Sequence, residues 1–258
     1  MKNNNTISYK KNHKGLYLAI FTLIITSLHL TTAFTRSNDF SKNHHTATAM
    51  LDPSRMEHLS NMSVSLYDSL HLDLMGLSQP AFDYARKGWE KLTDEGKLAN
   101  QSLVTIVDFS QSSSHKRLYV LDMQNYRVVF NTWVAHGKNS GKEWARSFSN
   151  LSSSLKSSLG FYTTGDTYFG SNGYSLKLNG LEKGINDHAG NRAIVLHGAD
   201  YVGQSVIDTR GYIGRSFGCP AVPLREASSI IDAIKGGSCL FIYSPDKKYV
   251  NRSAILNS

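Results

Sequence analysis

Between Leu103 and Tyr243 the apolar residues come in short runs broken by glycines and polar turns. Leu103–Phe109, Arg117–Asp122, Tyr126–Asn131, Leu159–Thr163, Tyr174–Leu178, Ala193–Leu196 and Cys239–Tyr243 each have the length and β-branched or aromatic content of a strand. The second and third read as a hairpin turning at Gln124-Asn125. Leu224–Ile234 alone carries a helical period in this region, and Gly236-Gly237 ends it. Many short strands with one late helix predict a mainly β domain with flanking helices, a β-sandwich or barrel-like fold.

Ahead of it the period is helical. Leu59, Met62, Leu66 and Leu70 share one face, and Gly76 closes that element. Ser78 is placed as an N-cap with Pro80 in the first turn, and Phe82, Ala85, Trp89 and Leu92 form a second stripe. Still earlier, Lys2, Lys10, Lys11 and Lys14 precede an apolar stretch from Gly15 to Leu30 and the small residues Thr31-Thr32-Ala33. That pattern predicts a signal peptide, with an uncleaved anchor as the alternative. The expected division is 1–33 signal, 34–52 linker, 53–100 helical segment, 101–246 main β-rich domain and 247–258 polar tail. Loss of 1–33 would remove four Lys and no acid, taking the formal charge from +8 to +4. No basic cluster interleaved with aromatics is present, which argues against nucleic acid as a partner. Any membrane contact is expected only through the N-terminal segment if it is retained.

Two residues carry the chemistry. The run Ala193–Leu196 delivers His197-Gly198 at its end, and a polar, Gly-punctuated crossing leads to Arg215-Ser216-Phe217-Gly218-Cys219. A thiol attacks a carbonyl only as thiolate, and an imidazole can take its proton and return it to a leaving amine. An imidazolium beside the thiol would place its titration below the free-cysteine value of about 8.5. Gly218 admits an unusual dihedral before Cys219 and lets backbone approach a substrate. Ser216 can hydrogen-bond neighbouring backbone or substrate. His136, in a Gly-bearing loop, and His188 are the rivals of His197. A Cys219–Cys239 disulfide is the bland alternative in an exported chain. The pair His44-His45 lies in the linker, and no His/Cys/Asp spacing reads as a zinc site. No metal or cofactor is expected.

His197-Gly198 followed by Ser216-Phe217-Gly218-Cys219 resembles the L,D-transpeptidase catalytic domain (YkuD-like) of bacterial cell-wall enzymes. The resemblance runs from about Leu103 to Ser244 and takes in Asn131–Lys138. With its helical lead the chain is similar to the murein L,D-transpeptidases of Gram-negative bacteria. The resemblance implies an exported enzyme of the periplasm or cell envelope, with peptidoglycan stem peptides as donor and acceptor. Cys219 would attack the carbonyl between the diamino acid and the terminal D-Ala, with His197 as base and then acid. Gly218, Ser216, Arg215 and Gly198 are the residues expected to bind the oxyanion or substrate. Carbapenem-type inhibitors are expected to acylate the thiol. An L,D-carboxypeptidase of the same fold and a non-catalytic wall-binding module with a Cys219–Cys239 bridge are the alternatives. The chain departs from the family pattern at Phe217, where many members carry a polar residue. It departs again at Pro220-Ala221-Val222, where an Arg commonly follows the nucleophile. Arg215 is the candidate to supply that charge.

Overall fold

The computed structural model describes residues 66–257. The predicted signal, the linker with His44-His45, and the helical stretch up to residue 65 lie outside the described residues.

Eight strands form one mixed sheet: β1 Leu103–Asp108, β2 Leu118–Asp122, β3 Arg127–Thr132, β4 Gly160–Gly170, β5 Gly173–Gly180, β6 Val195–Ala199, β7 Ala221–Pro223 and β8 Cys239–Tyr243. Their order across the sheet is β3-β2-β1-β8-β4-β5-β6-β7. β1 and β8 run parallel, as do β6 and β7, and the other neighbours are antiparallel. The chain leaving β3 then meets β7, where Ala135 pairs with Ala221 and Gly137 with Ser216. These bridges bring the two edges of the sheet together into a nearly closed barrel. The predicted mainly β, barrel-like class holds.

β2 and β8 are buried along their whole length, and β1 is buried from Val104 onward, as expected of strands covered on both faces. Helix α1, Gln79–Asp94, lies on β1 and β8. Its buried stripe is Ala81, Phe82, Ala85, Gly88 and Leu92. Gly88 makes that packing possible, since a Cβ there would stand 2.0 Å from the Phe161 ring. Ser78 has the extended backbone of an N-cap, yet its side chain caps nothing; its N–H donates to Asp108 Oδ2 at 3.0 Å instead. Trp89 sits at the rim and donates its indole N–H to the Gln101 carbonyl at 3.0 Å.

After β6 the expected polar crossing contains a short helix, α2 Gln204–Arg210. A small second core under this crossing joins Trp133, Ala135, Ala199, Val202, Ile213 and Ala221 at the seam. Helix α3, Leu224–Ile234, has the predicted bounds and buries Ala227, Ile230, Ile231 and Ile234. The expected polar tail is not one. Lys247–Arg252 form helix α4, and Tyr249, Ser253, Ile255 and Leu256 are buried. The buried Glu182 carboxylate accepts from the Phe161 N–H at 2.8 Å, the Tyr249 hydroxyl at 3.1 Å and the Ser253 hydroxyl. Three apolar or aromatic residues scattered among polar ones hid this docking from a reading based on composition.

Candidate active site

The turn leading to Cys219 is built around the Ser216 side chain. Its Oγ accepts the Gly218 N–H at 3.0 Å and donates to the Cys219 carbonyl at 2.6 Å. The turn is anchored across the seam, with the Ser216 N–H on the His136 carbonyl and the Lys138 N–H on the Ser216 carbonyl. Gly218 has φ +133°, and a Cβ on it would lie 2.9 Å from the Lys156 carbonyl oxygen. Only glycine fits there. The Gly218 N–H, expected to face a substrate, is thus engaged by Ser216. The Cys219 N–H makes no hydrogen bond among the described residues.

Register places the histidine. His197 pairs with Ala221 across β6 and β7. Counting back two residues on each strand sets Cys219 beside Val195, in agreement with a Val195 N–H donating to Cys219 Sγ at 3.5 Å. His197 and Cys219 therefore lie two residues apart along neighbouring segments, diagonal to one another. The His197 Nδ1–H donates to the Gly198 carbonyl at 3.0 Å. Since a carbonyl can only accept, this fixes the tautomer and leaves Nε2 with its lone pair free. Burial holds the imidazole below its ordinary pKa, partly opposed by the Gly198 carbonyl, so the neutral base is the resting form.

Among the described residues the thiol makes no hydrogen bond to the imidazole. It donates to the Ala193 carbonyl at 3.6 Å. Ala193, expected as the first residue of the strand, has φ +51°, and the strand begins only at Val195. That left-handed residue turns its carbonyl towards the sulfur. Burial pushes the thiol pKa up, while the Val195 N–H and the Arg192 charge pull it down; the net direction is up. An imidazolium–thiolate pair with a lowered thiol pKa is thus not what the resting site holds.

The other predicted residues fall at different depths. Gly198 is buried beneath α3, where a Cβ would stand 2.8 Å from the Ala227 methyl. Arg215 is exposed and places Nη1 on the carbonyls of Lys138 and Gly141, at 3.1 and 3.0 Å. His136 is fully buried. Its Nε2–H donates to the Gly141 carbonyl at 3.3 Å, and its Nδ1 accepts from Arg117 Nη2 at 2.8 Å. Burial and the Arg117 charge drive its pKa down to about 3. Both ring nitrogens are committed, so it braces the loop that carries the turn. His188 is exposed. Both cysteines are free. Cys239 lies on β8, separated from β6 by β4 and β5, about 14 Å of sheet, well beyond disulfide reach. Phe217 is 69% exposed at the mouth of the turn, with Lys138 Nζ 4.7 Å above its ring. Arg192 packs against the turn and escaped notice in the sequence, because nothing in its neighbourhood marks it as more than a loop arginine. Among the described residues no three His, Cys, Asp or Glu side chains stand together as a metal site, and no helix is long and apolar enough to cross a membrane.

Comparison with solved structures finds similarity to an L,D-transpeptidase from Mycobacterium smegmatis, at 12% identity and TM-score 0.34, covering 55% of this chain and 59% of that one. L,D-transpeptidase 3 from Mycobacterium tuberculosis, in complex with a faropenem-derived adduct, is similar at 13% identity and TM-score 0.35, over 55% of this chain and 60% of that one. So is the helical cell shape determining protein Pgp2 from Campylobacter jejuni, at 13% and 0.39, over 64% and 56%. The chain spans less than two thirds of the length of each. No curated protein matches. The model of the L,D-transpeptidase catalytic domain matches residues 74–243. That span is well over half of the chain and holds α1, His197 and Cys219, and the chain belongs to the L,D-transpeptidase catalytic domain family.

Proposed function

We propose that the chain is an exported, cysteine-dependent L,D-transpeptidase of the cell envelope, acting on peptidoglycan stem peptides through a Cys219 thioester. The observation that carries this reading is the tautomer of His197: Nδ1–H is tied to Gly198, so Nε2 is a neutral base one diagonal step from Cys219. The thiol swings from Ala193 towards Nε2 as substrate enters and gives up its proton there. Sulfur bonds to the carbonyl carbon between the diamino acid and D-Ala, and the oxyanion is held by the Cys219 N–H. The C–N bond then breaks, His197 returns the proton to the departing amine, and a thioester remains. An amine of a second stem adds to the thioester, loses its proton to His197 and expels the thiolate, leaving a new amide cross-link.

The test is incubation of purified protein with disaccharide tetrapeptide, followed by muropeptide analysis. Wild type should release one D-Ala per cross-linked dimer, and Cys219→Ala should release none while keeping its circular dichroism. Tripeptide monomer as sole product would make the enzyme an L,D-carboxypeptidase. Undiminished release by Cys219→Ala would end the proposal.

A further inference from the structure

No arginine stands in Pro220-Ala221-Val222 directly after Cys219, and Arg215 is committed to the carbonyls of Lys138 and Gly141. Arg192, on the loop before β6, occupies a different position. Its Nη1 donates to the Ser149 carbonyl at 2.8 Å and to the Ser158 hydroxyl, and its Nη2 to the Lys156 carbonyl and, at 3.4 Å, to Ser154 Oγ. Every one of these acceptors is neutral. Arg192 forms no ion pair among the described residues. A half-buried cation is ordinarily paired with an acid, because burial without one is costly. This one stays unpaired and lies against the nucleophile turn: Nη2 is 3.2 Å from where a Cβ on Gly218 would sit. The next residue, Ala193, supplies the carbonyl that accepts the thiol's hydrogen bond. A groove of about 290 Å³, lined by Ser152, Ser153, Leu155, Asn191, Arg192 and Phe217, opens from this corner.

We infer that Arg192 is the positioning residue of the nucleophile, supplying the positive charge that favours thiolate at Cys219 and pinning the 149–158 loop against the Gly218 turn. The inference rests on the reading of Cys219 as nucleophile, and is tested on the thiol itself so that the two can fail separately. A guanidinium satisfied only by neutral acceptors keeps its full charge, and that charge lowers the cost of forming an anion nearby. The other groups facing the thiol are His197 on β6, neutral at rest, and Tyr201 beyond the end of β6, whose phenol burial and the Cys219 charge push up to about 12. Lys138 and Lys156 stand on flanking loops, one over the Phe217 ring and the other on Ser147 Oγ at 2.7 Å. None of these puts a cation against Gly218 as Arg192 does.

Alkylation of Cys219 is to be followed against pH with neutral iodoacetamide and anionic iodoacetate, in wild type, Arg192→Gln, Arg192→Lys and Arg215→Gln. Arg192→Gln should raise the midpoint by about one pH unit, the low end of the effect of a neighbouring charge. It should also lower the iodoacetate-to-iodoacetamide rate ratio several-fold. Arg192→Lys keeps the charge and should keep both values near wild type, even though its thermal midpoint falls with the loss of the guanidinium fork. Arg215→Gln should leave the midpoint in place. An unmoved midpoint and ratio in folded Arg192→Gln would make Arg192 a strut and overturn the inference. So would an equal shift in Arg192→Lys, or a shift in Arg215→Gln as large as that of Arg192→Gln. If Arg192→Gln does not fold, the wild-type ratio still decides: it should exceed that of an unstructured cysteine peptide and fall towards it with added salt. A ratio at or below the peptide's contradicts a positive charge at the thiol.

Discussion

Ser216 and Gly218 shape the turn that carries Cys219. Removing the hydroxyl in Ser216→Ala strips the Gly218 N–H of its acceptor and the Cys219 carbonyl of its donor. The expected cost is about 1–3 kcal/mol of stability, with a fall in kcat of at least tenfold as the turn relaxes. Thermal melting and turnover measured on one preparation check this, and a variant with full kcat contradicts it. Gly218→Ala should be worse, since φ +133° and the Lys156 carbonyl both resist a Cβ. As the proposed base, His197 must be neutral to act, and an acid dependence follows. Its pKa is depressed by burial, so kcat/KM should hold as pH falls through 6.5 and drop only below it. An acid limb centred above 6.5 would contradict this. At this scale the sequence was informative where geometry demands a residue type: Gly218, at φ +133°, is legible as the glycine of a tight turn, and the strand that carries His197 as an apolar run. Arg192 and the αL Ala193 are not, because their importance lies in which turn they happen to touch.

Whole elements were legible where their apolar residues are periodic or contiguous. The bounds of α3 and β8 follow from period and length, and the hairpin β2–β3 from its polar turn. Helix α4 was missed because its hold on the barrel is three apolar contacts and a hydrogen-bond network around Glu182. Burying Tyr249, Ile255 and Leu256 contributes about 1.5–3 kcal/mol each, a large part of the 5–15 kcal/mol typical of a domain. A chain ending at Ser244 should therefore fail to melt cooperatively, whereas Tyr249→Phe should lose only about 1 kcal/mol. A cooperative wild-type-like melt of the shortened chain would show α4 to be dispensable. The loop braced by His136 has its own signature. With a folded pKa near 3 against an ordinary 6.5, His136 takes up its proton first in the unfolded chain. Its effect on stability is thus flat above pH 6.5 and increasingly unfavourable as pH falls from there towards 3. Replacing His136 with Gln should flatten that acid slope in denaturant titrations, and an unchanged slope would contradict the burial argument.

At the scale of the molecule, the site lies where the sheet closes. Two bridges, Ala135 to Ala221 and Gly137 to Ser216, join edges that are far apart in sequence and carry no strand-length pattern. A sequence reading that counts strands predicts a barrel-like fold without saying where the barrel meets itself. The seam puts the His136 loop, the Cys219 turn and the end of β6 at one place, held by few bonds, while β1, β8 and β4 form the continuous centre of the sheet. Amide exchange should be slowest in β1 and β8 and distinctly faster at 135–138 and 216–219. The central claim is that Cys219 is acylated by the stem peptide, and intact-mass spectrometry after rapid acid quench tests it most directly. Wild type mixed with tetrapeptide and quenched within the first turnover should gain the mass of the donor less its terminal alanine, mapped to the peptide bearing Cys219. Cys219→Ala should gain nothing. An adduct on any other residue, or alanine release by the folded Cys219→Ala protein, would contradict the account.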